Sequence, residues 1–422
     1  MWKKLAILLF FAFILRIFLI NIAFHGDLYN NLSWGNALLK YGANGFFEQK
    51  VWEHSAPNQP PLYILLFGLT SFLFRNINGL ILYLNDHVGI FPSSLVWFWQ
   101  DNGNIILLKL PSIFADLGIG LIIYKFFENK SKNLAFKLSA LWLFNPITFY
   151  NSAIWGQTDP IVNLLGLISI YFLINKRLIL SLLFLTLSIL FKGSLAIFVP
   201  VLFFYALWQK YDIKLWVKGI LVSGIAIILI SIWFYPSLDL PIWLINLYTK
   251  QILPGEIGDL SANAFNFWYL VNPGKVLDSM KYFDVAAHTW GYFFTLIVMA
   301  ITVLKLKQKK NEKMLFYSLA IVAISSFLFM TRIHERYLYP FFPVATILIG
   351  YIPEFIILYI ILSITFLINM YNLFWAPGVL IFENLLKTSQ LSTILSVVNL
   401  AVFVAILTLF FIKKDDHKSH SA

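Results

Sequence analysis

Long apolar runs recur along the chain from end to end, separated by shorter polar gaps. A helix rises ~1.5 Å per residue, so about 20 apolar residues span the roughly 30 Å of hydrocarbon in a bilayer. The pattern predicts an all-α polytopic membrane protein, because helices satisfy their own backbone hydrogen bonds in lipid. The predicted spans, about twelve in number, are 5–24, 105–126, 134–151, 159–175, 178–193, 194–209, 215–235, 287–306, 314–331, 336–352, 354–374 and 393–412.

Two segments between the predicted spans are long. Segment 25–104 contains apolar stretches at 62–74 and 79–84, each shorter than a span. We interpret them as helices that lie on or dip into the membrane surface, although they are also compatible with a further pair of spans. Segment 236–286 is the second long loop, and loops of this length commonly carry function.

The spans are continuous enough to predict one integral-membrane domain over residues 1–422. Within it, residues 1–235 are expected to form a first module. Residues 236–422 are expected to add the second long loop, further spans and a charged motif near position 335.

The composition narrows the chemistry. Of the 422 residues, 60% are hydrophobic and 12% are charged, about half the charged fraction typical of soluble domains. The chain has no cysteine, which excludes disulfides, thiolate nucleophiles and cysteine-based zinc sites. The first apolar run follows Lys3 and Lys4, as in a secretory signal peptide. It is longer than the apolar region of most signal peptides, and no small-x-small cleavage site follows it. We predict an uncleaved signal anchor.

The net charge of +11 is distributed as in membrane proteins rather than as in nucleic-acid-binding proteins. If the N-terminus is cytoplasmic, the inside segments hold 19 of the 31 Lys and Arg residues but 6 of the 20 Asp and Glu residues. The inside basic residues are Lys3, Lys4, Lys125, Lys130, Lys132, Lys137, Lys176, Arg177, Lys210, Lys214, Lys218, Lys305, Lys307, Lys309, Lys310, Lys313, Lys413, Lys414 and Lys418. This bias predicts a cytoplasmic-membrane protein with both termini inside and the long loops outside.

Asp27 lies where the first predicted span ends, and it is the only carboxylate in residues 21–29. A carboxylate at a helix exit is commonly a solvated loop residue. The following segment, 28–40, places leucines among polar residues, as in an amphipathic helix on a membrane surface. Such a helix would hold Asp27 at a fixed depth beside a lipid-borne substrate.

The segment from Trp155 to Pro160 lies between two predicted spans on the outer side. Asp159 followed by Pro160 is typical of a helix start, and a helix start alone explains those two residues. A helix start does not explain Trp155, whose ring offers a stacking face, or Gln157, whose amide can both donate and accept hydrogen bonds. Sugar recognition requires both kinds of group.

Several charged residues fall within or beside apolar runs. Asp116 lies seven residues beyond Lys109, hence roughly 10 Å into the apolar layer, where it must face protein or a wet cavity. A structural hydrogen bond to another helix is the alternative. Lys192 is placed to snorkel or to hold a phosphate. Arg16 lies mid-helix, where an unpaired charge costs ~2.5–3.5 kcal/mol, and the sequence shows no partner.

The motif 331–337 is the densest charged cluster near a span boundary, with Arg332, His334, Glu335 and Arg336 in five residues. Arginine forks match phosphate oxygens bidentately, whereas a simple interfacial belt would favour Lys, Trp and Tyr. The motif therefore favours a functional role. His and Glu alone, without further ligand spacing, are a weak metal signal.

These motifs, in this order between residues 21 and 345, resemble the GT-C superfamily of integral-membrane glycosyltransferases. The closest similarity is to prokaryotic relatives of polyprenyl-phosphate-mannose-dependent mannosyltransferases. The segments that carry the resemblance are Asp27 after the first span, Gln59–Tyr63, Lys109–Pro111, Asn145–Pro146 with Trp155–Asp159, and His334–Tyr337.

The resemblance implies a lipid-phosphate sugar donor used on the outer face, with Asp27 acting on the acceptor. It also implies that residues 1–235 form the catalytic, GT-C-like module. Many members carry two carboxylates in this first loop, whereas here His25 and Tyr29 flank Asp27 at the spacing of two. We therefore expect no required cofactor and do not favour a divalent metal.

The chemistry agrees with this interpretation. A sugar on a polyprenyl phosphate is already activated, so the enzyme needs a base for the acceptor hydroxyl and cations for the leaving phosphate, and direct attack inverts the anomeric centre. We predict Asp27 as the base; Arg332, Arg336, Lys192 and Lys109 as phosphate ligands; Trp155, Gln157, Asp159, Gln59, Tyr63 and Asn263 as sugar or acceptor contacts; and Asp116, His334 and Glu335 as orienting groups.

Two other classes remain open at the level of sequence. A transporter or lipid flippase predicts inverted repeats and broken helices near the midplane, and the sequence displays neither. A non-catalytic relative that binds polyprenyl lipid would keep the arginines. The expected partners are the polyprenyl-phosphate donor, a lipid, glycan or protein acceptor, and membrane lipid.

Overall fold

The structure is a computed structural model that describes residues 2–52, 54–253, 257–386 and 389–412. These residues are mainly helical, and the predicted all-α polytopic membrane fold is confirmed. The chain divides into two compact units after Gly258, and segment Phe374–Val379 belongs to the first unit. The predicted inside cations of the tail, residues 413–422, lie outside the described residues.

Unit 1 contains eleven α-helices in its described residues. They are α1 (Trp2–Leu19), α2 (Gly26–Tyr41), α3 (Pro61–His87), α4 (Ser94–Phe127), α5 (Lys132–Leu143), α6 (Pro146–Phe149), α7 (Asp159–Ile174), α8 (Leu178–Phe191), α9 (Val199–Trp208), α10 (Ile213–Ser231) and α11 (Leu240–Leu247). The 3₁₀ segments are Phe46–Glu48 and Gly193–Phe198, and the π-helices are Tyr150–Trp155 and Tyr248–Ile252.

Unit 2 contains seven α-helices and two very short sheets in its described residues. The helices are α12 (Phe267–Val271), α13 (Ala287–Gln308), α14 (Glu312–Phe329), α15 (Phe341–Ile349), α16 (Ile356–Leu373), α17 (Leu380–Leu386) and α18 (Ser389–Ile412), with a 3₁₀ turn at Pro353–Phe355. The strands are β1 (Ser261–Ala262), β2 (Lys281–Tyr282), β3 (Val285–Ala286) and β4 (Ile333–His334); β1 pairs with β4 in parallel, and β2 pairs with β3 antiparallel.

Helix starts follow local capping chemistry. The side chains of Ser131, Asn145, Asp212 and Asn311 each accept a hydrogen bond from a backbone N–H in the first turn that follows. These bonds satisfy donors that the helix itself leaves unpaired. The helix boundaries are thus set by short polar residues between apolar runs.

Each predicted span is wholly or partly helical, and seven helical segments in the described residues are long and apolar enough to cross a membrane. These are Pro61–His87, Ser94–Phe127, Ile213–Ser231, Ala287–Gln308, Glu312–Phe329, Pro353–Leu373 and Ser389–Ile412. Three shorter apolar helices follow the predicted spans at Asp159–Ile174, Leu178–Phe191 and Gly193–Trp208.

Two predictions about individual helices were wrong. The span predicted at 336–352 is the nine-residue helix α15, about 14 Å long, which is too short to cross and is buried within unit 2. The apolar stretches 62–74 and 79–84 form one helix, α3, of 27 residues. The polar residues between them contain no proline, so the helix continues through them.

The 34-residue helix α4 packs against different partners in its two halves. Its C-terminal half runs antiparallel to α1, since Trp2 packs on Tyr124 and the Lys109 ammonium contacts the end of α1. Its N-terminal half pairs with α3, where Phe74 stacks on Trp99. The C-terminal part of α3 and the N-terminal part of α4 therefore form a hairpin. By length and composition, α3 and α4 both qualify as membrane spans.

The helices of unit 1 alternate in direction. Lys192, after α8, contacts Asp159 at the start of α7, which places both at the end of the unit where Lys109 meets α1. Lys176, after α7, contacts Gln209, and Phe126 of α4 packs on Tyr171, so those residues lie at the opposite end. The two ends of unit 1 thus carry different residues. The loops between α4 and α5 and between α7 and α8 place basic residues at the end where Lys176 lies.

Candidate active site

Asp27 lies in the first turn of α2, where the helix dipole favours a carboxylate. His25 caps this helix, and its Nδ1 accepts a hydrogen bond from the Asp27 backbone N–H at 3.1 Å. The Asp27 side chain is 41% exposed. Its Oδ2 accepts a hydrogen bond from Gln157 Nε2 at 2.7 Å. A water-accessible carboxylate is thus held between a helix start and an amide donor.

Gln157 reaches Asp27 because the π-helix Tyr150–Trp155 ends in a tight turn. The backbone N–H groups of Gly156 and Gln157 both donate to the Asn151 carbonyl, at 3.0 and 2.9 Å. Gly156 has φ +84°, and a Cβ there would approach the side chains of Leu28 and Lys109 to 3.0 Å. Only glycine fits this conformation and this close approach without strain. The glycine of the Trp-Gly-Gln-Thr-Asp motif is therefore what brings the loop against α2.

Aromatic rings form one wall of the site. Trp155 is fully buried and stacks on Phe374 with ring centres 5.5 Å apart. The His25 imidazole packs edge-on against both rings, at 5.3 and 4.8 Å. Trp155 was predicted to offer a stacking face to a sugar. In this structure its ring instead supports His25, and so the start of α2.

Lys192 and Asp159 form an ion pair beside the same loop. Lys192 Nζ donates to Asp159 Oδ1 at 2.9 Å, and the two side chains are 11% and 5% exposed. Asn151 Nδ2 donates to Asp159 Oδ2 at 3.4 Å. Asp159 also begins α7, as its sequence context predicted. Lys192 lies between α8 and the 3₁₀ segment, so its ammonium is a largely buried cation in an interrupted helix.

Lys109 is fully buried, and its three ammonium protons have three backbone acceptors. Nζ donates to the carbonyls of Ile20, Ala23 and Ile154, at 2.8, 2.6 and 2.8 Å. An ammonium has three donors, so these bonds use its full capacity. Lys109 joins the end of α1 to the π-helix. A phosphate would have to displace one of these carbonyls, and the geometry favours a structural role.

Asp116 is the partner of Arg16. Arg16 Nε donates to Asp116 Oδ2 at 3.2 Å, and both side chains are fully buried. Arg16 Nη2 donates to Thr148 Oγ1 at 2.9 Å, and Ser152 Oγ donates to Asp116 Oδ2 at 2.5 Å. The pair therefore connects α1 and α4 to the segment that leads into Trp155. This is the structural hydrogen bond to another helix that the sequence left as the alternative for Asp116, and it supplies the partner that the sequence did not reveal for Arg16.

The Gln59–Tyr63 motif is tied to α2. Tyr63 is buried, and its hydroxyl donates to Asn31 Oδ1 at 2.9 Å. Gln59 is partly exposed and donates through Nε2 to Asn58 Oδ1 at 3.2 Å. Asn31 lies one helical turn beyond Asp27, and sequence reasoning missed it. Its polar position on an amphipathic helix gave no sign that it faces protein.

An open apolar groove of about 510 Å³ lies between α3, α4 and α7. Its walls include Leu62, Pro111 and Ile161, and Phe191 of α8 closes one side. Phe191 immediately precedes Lys192, so this groove lies beside the cation of the site.

Unit 2 contains a second charged cluster. Arg332 contacts Asp278 with two hydrogen bonds, from Nε to Oδ2 at 2.7 Å and from Nη2 to Oδ1 at 3.1 Å. Thr331 Oγ1 donates to the same carboxylate at 3.1 Å. Hydrogen bonding to Asp278 raises the pKa of the Arg332 guanidinium. The arginine fork predicted for phosphate is thus occupied by a carboxylate that lies 54 residues earlier and was not singled out in the sequence.

The other residues of this motif also contact one another. Arg336 Nη1 donates to Glu335 Oε1 at 2.8 Å, and Glu335 is fully buried. His334 Nδ1 lies 3.9 Å from Glu335 Oε2. Asn263 forms a β-bridge with His334, and its carbonyl accepts from Asn369 Nδ2 at 2.7 Å. The predicted set Arg332, His334, Glu335, Arg336 and Asn263 is therefore gathered within unit 2.

Unit 1 gathers the remaining predicted residues at one end of its helices. They are Asp27, Gln157, Trp155, Asp159, Lys192, Lys109, Gln59 and Tyr63, with Asp116 deeper among the helices. The fold and this arrangement define an α-helical polytopic membrane protein with an accessible carboxylate and a largely buried cation where its helices end.

No family model matches the chain. Among curated proteins, GPI mannosyltransferase 1 of Candida albicans is 29% identical over 136 residues. The match covers 31% of this chain and 32% of that protein, so the chain spans about a third of the length of the curated relative that it matches. The similarity supports the predicted class, a membrane-bound glycosyltransferase.

Proposed function

We propose that this protein is a mannosyltransferase that moves mannose from a polyprenyl-phosphate donor to an acceptor hydroxyl with inversion. The observation that carries the proposal is the accessible Asp27 carboxylate held by Gln157 where helices of unit 1 end. The choice of mannose rests on the partial similarity to a GPI mannosyltransferase. The lipid donor rests on the motif resemblance.

In this mechanism the acceptor oxygen attacks the anomeric carbon while its proton passes to Asp27. The bond between the anomeric carbon and the phosphate oxygen breaks, and polyprenyl phosphate leaves with its negative charge. Gln157 orients the carboxylate through the bond to Oδ2. Lys192 is the proposed cation for stabilising the leaving phosphate, because a cation in a dry site is effective at developing negative charge.

The apolar groove beside Phe191 is the proposed site of the donor's prenyl chain. Its walls are aliphatic and aromatic; of the helices that form it, α3 and α4 have the length and hydropathy of membrane spans, and α7 is a shorter apolar helix. A chain in this groove would place its phosphate towards Lys192. The contact between the prenyl chain and the groove would then contribute binding energy that positions the sugar.

A paired experiment tests the proposed function against its rivals. Purified protein in liposomes receives polyprenyl-phosphate mannose labelled in the sugar, together with a candidate acceptor. Transfer yields labelled acceptor and free polyprenyl phosphate. A flippase would move intact donor between leaflets, and a binding-only protein would retain it; either result without product would refute the proposal.

Lys192→Gln is expected to weaken binding of polyprenyl phosphate at least tenfold, because it removes the cation but keeps a polar side chain. Lys192→Arg should retain most of the affinity, and Lys210→Gln, at the opposite end of unit 1, is the matched control. Binding is measured by titrating the purified variants with polyprenyl phosphate.

Arg336→Lys is tested in the same titration: a loss of affinity would assign phosphate binding to the guanidinium fork of Arg336. If all variants bound polyprenyl phosphate as tightly as the native protein, neither Lys192 nor Arg336 would be a phosphate ligand.

The membrane orientation gives another prediction. We propose that the protein lies in the cytoplasmic membrane with both termini inside and its active face outside, from the charge bias. Because the chain has no cysteine, single cysteines can be placed at Gly258 and Gln308. An impermeant thiol reagent added to intact cells should label position 258 and not 308. The reverse pattern would move the active face to the cytoplasmic side.

We expect activity to persist in EDTA. Within the described ranges, no three His, Cys, Asp or Glu side chains are grouped as metal ligands, and position 25 carries histidine where many similar proteins carry a second carboxylate. The assay compares initial rates before and after chelation, with each divalent ion added back. Loss of activity that Mg²⁺ or Mn²⁺ restores would make Asp27 a metal ligand instead of the base.

A further inference from the structure

The nitrogen of His25 that caps α2 also lies beside the proposed base. Nδ1 accepts the Asp27 backbone N–H at 3.1 Å and is 3.5 Å from Asp27 Oδ2. A ring nitrogen that accepts a hydrogen bond carries no proton. The observed cap therefore requires the neutral imidazole, and in that state the 3.5 Å contact with the carboxylate is not an ion pair.

Asp27 is a charged group in direct contact with the His25 ring. The ring packs on Trp155 and Phe374, which do not titrate, and the His25 side chain is 22% exposed, so solvent protons reach it. The Lys109 ammonium donates to the Ala23 carbonyl two residues earlier. The Tyr150 hydroxyl donates to the Phe374 carbonyl. Lys109 opposes protonation of the ring, and Asp27 favours it.

We propose that His25 is a positioning residue that switches the base off at acidic pH. When the imidazole takes a proton from solvent, Nδ1 changes from acceptor to donor. It then loses the Asp27 N–H and donates to Asp27 Oδ2, which already receives the Gln157 bond. The carboxylate becomes less basic towards an acceptor hydroxyl, and the first turn of α2 loses its cap. This inference rests on the proposed role of Asp27 and adds a regulation of the same site.

The main test is the ratio of initial rates at pH 8.0 and pH 5.5. An ordinary histidine titrates near pH 6.5, so the native ratio should be about tenfold. His25→Asn should bring the ratio close to one, because asparagine caps a helix well but does not titrate in this range. His25→Ala, which lacks the cap, should be slower at both pH values with a similarly flat ratio. A His25→Asn variant that keeps the native ratio would overturn the proposal.

A second readout does not need turnover. The histidines are labelled with ¹³C, and the His25 signal is assigned by its loss in His25→Asn. Its titration midpoint should move to lower pH in Asp27→Asn, because the negative charge that favours the imidazolium is gone. An unchanged midpoint would also overturn the coupling. If the native protein transfers no mannose at any pH while the midpoint shifts, the proposed function fails and the His25–Asp27 coupling stands.

Discussion

Turnover of Asp27→Asn is expected to fall by about 10²–10⁴-fold, while binding of the lipid donor is largely retained. Asparagine keeps the size of the side chain but removes the basic oxygen, and general-base assistance is typically worth that factor. The amide can still form a hydrogen bond with Gln157. The loss should therefore appear in kcat rather than in donor affinity. Steady-state rates and a polyprenyl phosphate titration on the same preparation measure both quantities.

The matched control is Asp101→Asn, which makes the same chemical change at an exposed position on α4. It should leave turnover unchanged. Near-native turnover of Asp27→Asn would refute the base assignment. A parallel loss of donor affinity would instead place Asp27 in substrate binding.

Breaking the Arg16–Asp116 pair is expected to have the largest effect on stability. Arg16→Met leaves Asp116 buried without its cation, and removing one partner of a buried ion pair costs about 3–5 kcal/mol. The hydrogen bond to Thr148 is lost as well. The free energy of unfolding in detergent, followed by denaturant titration, measures this loss.

The double variant Arg16→Met/Asp116→Leu should recover most of that free energy, because no uncompensated charge remains. Glu128→Gln, which breaks the partly exposed pair with Lys125, should cost less than about 1 kcal/mol. If the single and double variants were equally destabilised, shape rather than charge would account for the role of Arg16. The attraction between Arg16 and Asp116 would then not stabilise the segment that carries Trp155 and Gln157.

Hydropathy located the helices because the constraint of the bilayer is local. Each spanning segment must satisfy its own backbone hydrogen bonds, so it is a continuous helix of apolar residues that can be recognised in the sequence. The predictions were wrong where length and continuity depend on packing. At 336–352 the prolines leave a helix of nine residues that is buried by its neighbours, and at α3 a polar interval lies within one continuous helix.

The motifs also identified residues that the fold gathers, but not what each side chain contacts. Lys109 and Arg332 were both predicted to bind phosphate. The first instead holds three carbonyls, and the second holds Asp278 with its fork. A cation beside an apolar run has the same sequence signature in either role. Its acceptors come from other helices and loops.

The sequence by itself determined the all-α membrane fold and the positions of most helices, and it singled out Asp27 as the predicted base. Hydropathy, capping residues and charge bias act over a few turns of chain, so they can be read without knowing the packing. Only the tertiary structure paired Asp27 with Gln157, 130 residues away, and Arg16 with Asp116, 100 residues away. Those pairs depend on how separate helices and loops meet, since a hydrogen bond requires two groups within about 3 Å.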